Sequence, residues 1–120
     1  PGAGLGIQFP VRTTIVWALG EIQEKRAIPK LIELLVDDSG SALGGLYLSA
    51  MDALIKIGSD SEKALYRYAE QNNHSSGALC AVEVLSKIDA QVSLERLSNT
   101  SGPVSVRARK KLEESKATNS

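Results

Sequence analysis

Very few residues of this chain have side chains suited to covalent chemistry. It contains one cysteine, Cys80, and one histidine, His74. Cys80 lies between Leu79 and Ala81 in an apolar stretch, where a thiol is more often a small buried hydrophobe than a nucleophile. His74 lies in a cluster of Asn and Ser residues typical of a turn. A Cys–His catalytic pair would also need an orienting group and a pocket, so we predict no catalytic residues.

Metal and cofactor sites are also not indicated. One histidine and one cysteine cannot by themselves build a zinc or histidine-based di-iron site, nor an intramolecular disulfide. Gly2, Gly4 and Gly6 form a G-x-G-x-G string that superficially resembles a phosphate-binding loop. The string follows no strand, however, and no acidic residue is placed to bind a ribose. We therefore predict no metal and no cofactor.

Composition indicates one neutral domain. The chain has 120 residues with 14 basic and 14 acidic side chains, enough for a self-standing core. No apolar run approaches the roughly 18 residues of a membrane span, and the first residues lack a signal-peptide pattern. We expect a soluble, cytoplasmic protein that does not bind membranes.

Positive charge is concentrated near the end of the chain. Residues 96–120 carry six basic and two acidic side chains, and Arg107, Arg109, Lys110 and Lys111 are the densest group. They fall on one terminal helix without interleaved aromatic residues, a pattern typical of a solvated helix face. Nucleic acid is therefore the less favoured partner.

A short phrase recurs along the chain and indicates internal repeats. Its anchor is a leucine, found at Leu19, Leu54, Leu85 and Leu112 with spacings of 35, 31 and 27 residues. The residues four positions earlier, on the same helical face, are Ile15, Ala50, Ala81 and Ala108. Small residues at this position let a neighbouring backbone come close, so each anchor predicts a packed helix.

Between the anchors the apolar spacing predicts a second helix in each repeat. Ile28, Leu31, Ile32 and Leu35 form one apolar stripe, and Pro29 fits the opening turn of that helix. No segment shows strand alternation. We predict seven helices, at about 11–22, 27–36, 45–57, 61–71, 77–88, 90–98 and 103–115.

These helices define an all-α solenoid of about three and a half antiparallel helix pairs. The predicted domain spans 10–115, with repeats at about 10–38, 45–71 and 77–98 and a terminal capping helix at 103–115. Residues 1–9 are predicted as an irregular lead-in and 116–120 as a disordered tail. At least three helix pairs must stack to share a core, and the helices at the two ends of the stack have a neighbour on one side only. The outer faces of these end helices must therefore be polar or covered.

The first repeat resembles a known family. Val11-Arg12, Ala18-Leu19-Gly20-Glu21-Ile22, Arg26-Ala27-Ile28-Pro29 and Asp37-Asp38 resemble the short HEAT-like repeat named after phycobilisome lyases. The resemblance is strong over 11–38 and weaker to about 114. It implies a right-handed superhelix with the first helix of each pair outside and the second lining a concave surface. The chain has no His-Glu dipeptide, the motif with which HEAT-like hydroxylases bind iron.

We expect a non-catalytic protein-interaction or scaffold module that binds a partner on the concave surface. The predicted partner-binding residues are Lys30, Glu33, Lys63, Arg67, Glu70, Tyr66 and Tyr68. The first helix is apolar around more than half its circumference, which predicts either preceding repeats, cover by residues 1–9, or association with another chain through Val16 and Trp17. The alternative that the resemblance implies is lyase-like handling of a bilin or a phycobiliprotein.

Overall fold

In the computed structural model, residues 13–35 and 46–119 are described, with side chains to residue 116, and all their regular structure is helical. The helices are α1 over 13–21, α2 Ile28–Glu33, α3 Leu46–Ile57, α4 Glu62–Gln71, α5 Ser76–Lys87, α6 Gln91–Ser98 and α7 Pro103–Asn119. Short 3-10 turns, Lys25–Ala27 and Gly58–Ser61, precede α2 and α4. The all-α prediction is confirmed. The predicted lead-in 1–9 and Asp37-Asp38 lie outside the described residues.

The helices form two layers. Helices α3, α5 and α7 pack side by side, and α1 joins them because Gly20 lies against Ala53; we call these four helices the A layer. Helices α2, α4 and α6 pack beside one another as the B layer. One core of aliphatic side chains, from Val16 in α1 to Ala108 in α7, lies between the layers.

Each turn from the A layer to the B layer has the same backbone geometry. Gln23, Gly58 and Asp89 adopt left-handed conformations with φ of 52°, 79° and 59°. Each of these residues follows its anchor leucine by four positions. A left-handed residue ends an α-helix and redirects the chain, so the turns show the same repeat register that the leucines predict.

Small residues set the distance between A-layer helices. Ala50, Ala81 and Ala108 are fully buried. A Cβ built on Gly20 would stand 2.7 Å from the Cα of Ala53, closer than real atoms approach. Helices α1 and α3 are therefore nearly in backbone contact, and the predicted role of the small residues is consistent with this packing.

Prolines lie at the starts of two helices, as the sequence predicts, whereas one helix ends later than predicted. Pro29 lies in the first turn of α2 and Pro103 begins α7. Helix α7 continues to Asn119, so residues 116–119 are helical and their assignment to a disordered tail was wrong. No Gly or Pro lies between Pro103 and Asn119, so nothing in the backbone ends the helix earlier.

The left-handed turns predict opposite effects for two substitutions. A Cβ on Gly58 would meet nothing within 4 Å, so Gly58→Ala strains the backbone alone and should lower the free energy of unfolding by about 1 kcal/mol. Asp89→Gly should raise it by about 0.5 kcal/mol, because glycine adopts this conformation without strain. Urea unfolding measures both values, and an unchanged midpoint for Gly58→Ala would contradict the turn.

The packing of small residues predicts the cost of overfilling the A layer. Replacing the fully buried Ala81 with Leu should lower the free energy of unfolding by about 1 to 3 kcal/mol, because the neighbouring helices must move apart. Lys87→Leu adds the same side chain at an exposed position of α5 and should change stability by less than about 0.5 kcal/mol. Equal melting temperatures for the two variants would contradict the repeat alignment.

Candidate protein-interaction surface

Helix α4 is the centre of the B layer. Leu65 and Ala69 point into the core and are fully buried, which leaves the opposite side of the helix outward. Lys63, Arg67 and Glu70 are exposed on that side. Because α2 and α6 flank α4, the outward side chains stand between two furrows.

The furrow between α2 and α4, which we call groove 1, has a volume of about 300 Å³. Its lining is mainly apolar and consists of Pro29, Ile32, Glu33, Ala64, Arg67, Tyr68 and Gln71. The hydroxyl of Tyr68 lies directly over Gly77, where the Cβ of any other residue would clash with it. Gly77 therefore leaves room for the ring of Tyr68. Tyr68 is thus both part of the packing against α5 and a wall of groove 1.

The furrow between α4 and α6, groove 2, has a volume of about 340 Å³. It is lined by Ser59, Glu62, Lys63, Tyr66, Val92, Ser93 and Arg96. The Oγ of Ser93 donates a hydrogen bond of 2.7 Å to the Oε2 of Glu62, which ties α6 to α4. Val92 is 60% exposed, so groove 2 combines an accessible aliphatic side chain with cations from two helices.

The ring of Tyr66 is held in place by a hydrogen bond. Its hydroxyl donates to the Oε2 of Glu70 at 2.9 Å, one helical turn away. This bond, together with burial and the negative charge of Glu70, raises the pKa of Tyr66, although Arg96 acts in the opposite direction. Tyr66 is therefore a neutral donor at physiological pH, with its ring fixed beside groove 2.

Three cations of the B layer are available for a ligand. Lys30 forms an ion pair of 3.3 Å with Glu33. In the part of the chain that the structure describes, no carboxylate lies within ion-pair distance of Lys63, Arg67 or Arg96. These three side chains can gain an acidic partner without losing an ion pair to any of the described residues.

The structure brings the sequence-predicted residues onto one surface. All seven predicted residues belong to α2 or α4, and most of them line the grooves. They are Lys30, Glu33, Lys63, Tyr66, Arg67, Tyr68 and Glu70. Their contact with a partner stays a prediction. Val92, Ser93 and Arg96 are groove residues outside the predicted set. The sequence does contain a signal for Val92. It lies on a different face of α6 from Leu94 and Leu97, which form the apolar stripe, and so it must face away from the core.

The two residues of α1 that were predicted to form an association face differ in their burial. Val16 is only 5% exposed and belongs to the core, so its prediction as a contact with another chain was wrong. It lies on the helical face of Gly20, which packs against α3. Trp17 is 51% exposed, and the Nζ of Lys56 lies 5.3 Å from its ring centroid, in cation–π range.

The basic residues of α7 do not form one patch. Glu83 of α5 pairs with the Nη1 of Arg107 at 2.6 Å and with the Nζ of Lys111 at 2.8 Å. Arg109 donates through Nε to the carbonyl of Ser98 at 3.3 Å. Burial raises the pKa of Glu83, but the hydrogen bonds and charges of Lys111 and Arg107 outweigh it and lower that pKa overall. Two of the four cations are therefore already paired with a carboxylate of the chain.

Cys80 and His74 take no part in either groove. Cys80 is partly buried and packs against the core, and His74 lies in the turn before α5, with its ring beside Gly102. Within residues 13–35 and 46–119, no three His, Cys, Asp or Glu side chains are grouped as metal ligands would be. In the same ranges, no helix combines the length and the apolar character that crossing a bilayer requires.

Stacked helix pairs with a repeated turn, a continuous core and a grooved second layer define an α-helical repeat module. The family model described as the PBS lyase HEAT-like repeat matches residues 11–37. The resemblance inferred from the sequence is thereby confirmed for the first helix pair. No curated protein and no solved structure gives a significant match to the chain.

The ion pairs of Glu83 predict a pH-dependent stability. Because the folded pKa lies below the unfolded value of about 4.3, these pairs stabilise the fold above that value and lose their effect as the pH falls through the folded pKa. Glu83→Gln should lower the free energy of unfolding at pH 7 by about 1 kcal/mol, and the difference should shrink towards pH 3. Glu95→Gln, at an exposed position, is the control. Equal stability of Glu83→Gln and the parent chain at pH 7 would contradict the network.

Proposed function

We propose that this helical repeat module binds a partner protein across its B layer, with α4 between two contact grooves. The observation that carries the proposal is the pair of grooves on either side of α4, together with three nearby cations that have no acidic partner in the described residues. Grooves supply apolar contact, and unpaired cations supply orientation and selectivity.

The chemistry of the grooves favours a partner segment that carries both acidic and apolar side chains. Groove 1 offers an aliphatic and aromatic lining with Arg67 at its edge. Groove 2 places Lys63 and Arg96 on opposite walls around Tyr66 and Val92. A carboxylate between these two cations and an apolar side chain in groove 1 would satisfy both sites.

The same surface is unsuited to a phosphate backbone. The carboxylates of Glu62 and Glu70 lie in or beside groove 2, where they would repel successive phosphates.

The size of the grooves also favours protein side chains over a bilin. Both are open to solvent, and about 300 Å³ is the lower end of the range for pockets that enclose small molecules.

A charge-reversal experiment tests the proposal. The full chain and the variant Lys63→Glu/Arg96→Glu are immobilised and exposed to the same cell extract, and the retained proteins are quantified by mass spectrometry. We expect at least one protein to be retained by the parent chain and reduced by about tenfold or more on the variant, since tenfold corresponds to about 1.4 kcal/mol and reversing two charges turns attraction into repulsion.

The matched control is Lys87→Glu/Lys110→Glu, which makes the same change of charge at exposed positions of the A layer. It should retain what the parent chain retains. Identical sets of proteins on the parent chain and on Lys63→Glu/Arg96→Glu would contradict the proposal.

A further inference from the structure

Helix α3 receives α1 on a stripe of buried apolar residues. In α3 this stripe is Ala50, Ala53 and Ile57, placed four before, one before and three after the anchor leucine. All three are buried, and Ala53 is the residue against which Gly20 of α1 packs. Residues at these spacings lie on one face of a helix. The stripe is therefore the side of an A-layer helix that receives its neighbour.

The two isoleucines of the equivalent stripe of α1 are exposed, and its alanine is partly buried. The stripe consists of Ile15, Ala18 and Ile22, at the same three positions relative to Leu19. Ile15 is 55% exposed and Ile22 is 68% exposed, whereas α3 buries Ala50 and Ile57 at these positions. The helical geometry continues to Ile22, whose N–H donates to the carbonyl of Ala18 at 2.9 Å. This face of α1 has the form of a helix-packing surface, with two isoleucines open to solvent.

The charges around the stripe leave it ready for an apolar contact. Glu21 pairs with Lys56, Glu24 with Arg26, and Lys25 with Asp60 at 3.4 Å. Each charged residue that follows the stripe on α1 or in the next turn thus has a partner within the chain. Covering the stripe would leave none of these described charges without a partner, which is the usual cost of burying a surface.

The opposite end of the A layer does not fit this stripe. The outer side of α7 carries Arg109, Lys110 and Glu113, all exposed, and Val106 is 65% exposed among them. Head-to-tail stacking of two chains would bury these charged groups against Ile15 and Ile22 without partners. The two ends of the layer are therefore not complementary to each other.

The stripe is instead complementary to itself. Ile15 and Ile22 lie at nearly equal distances along the helix on either side of Ala18 and Leu19. In an antiparallel pair of α1 helices, Ile15 of one copy would meet Ile22 of the other, and the small Ala18 near the two-fold axis would allow close approach. This reproduces the small-residue contact that Gly20 and Ala53 make within the chain.

We infer that Ile15, Ala18 and Ile22 form the contact surface of a symmetric dimer of this chain, in which the two α1 helices pack antiparallel and continue the A layer across the two-fold axis. Trp17 lies on the other side of α1, where its ring faces Lys56 of α3, and is not part of this surface. One helix pair is a small interface, so the dimer forms at high protein concentration.

Sedimentation velocity of the full chain from roughly 10 µM to 1 mM tests the dimer. We expect the weight-average mass to rise towards twice the 12.8 kDa of one chain. Ile22→Asp should weaken dimerisation by about tenfold or more, because each dimer would then bury two carboxylates. Val106→Asp replaces an equally exposed aliphatic residue at the other end of the layer and should leave the dimer unchanged.

A cross-link tests the antiparallel arrangement. In a Cys80→Ala background, Ala18→Cys near the two-fold axis should form a disulfide between two chains under mild oxidation. Val106→Cys in the same background should cross-link far less. A chain that stays monomeric throughout the concentration range would overturn the inference. A dimer that Ile22→Asp leaves intact, or cross-linking that is equal for the two cysteines, would also overturn it.

Discussion

The close approach of neighbouring A-layer helices is the constraint on which the rest of the structure depends. Gly20 and Ala53 bring α1 and α3 almost into backbone contact, and Ala50, Ala81 and Ala108 are fully buried. Helices at this spacing hold the B-layer helices at a matching spacing, because each pair is joined by a short turn of the same left-handed geometry. The small side chains of the A layer therefore determine the width of the two grooves in the B layer.

Ion pairs reinforce this layer and thereby decide which charges stay available. Lys56 joins α3 to Glu21 of α1, and Glu83 joins α5 to Arg107 and Lys111 of α7. These side chains stabilise the stacking and are engaged within the chain. The B layer differs, since Lys63, Arg67 and Arg96 have no such partner in the described residues. The neutral total charge of the chain thus conceals two layers whose charged groups are used differently.

Helix α4 connects stability to the candidate surface. Leu65 and Ala69 anchor it in the core, Tyr68 packs over Gly77 while lining groove 1, and Tyr66 is fixed by its hydrogen bond to Glu70. A surface built from side chains that are already ordered loses little conformational entropy when it binds. The same contacts explain why the grooves are features of the folded module rather than of α4 alone.

The amino-acid sequence by itself determined the helices and the repeat. The positions of the helices could be predicted from the anchor leucines, the small residues four positions before them and Pro29. These signals depend on the spacing of side chains along one helix, which is a local property. Only the tertiary structure decided that Val16 is buried while Trp17 is half-exposed, that Glu83 forms ion pairs with Arg107 and Lys111, and that Val92 and Arg96 of α6 complete groove 2. These outcomes depend on which helices become neighbours and how closely they pack. No periodicity within one helix contains that information.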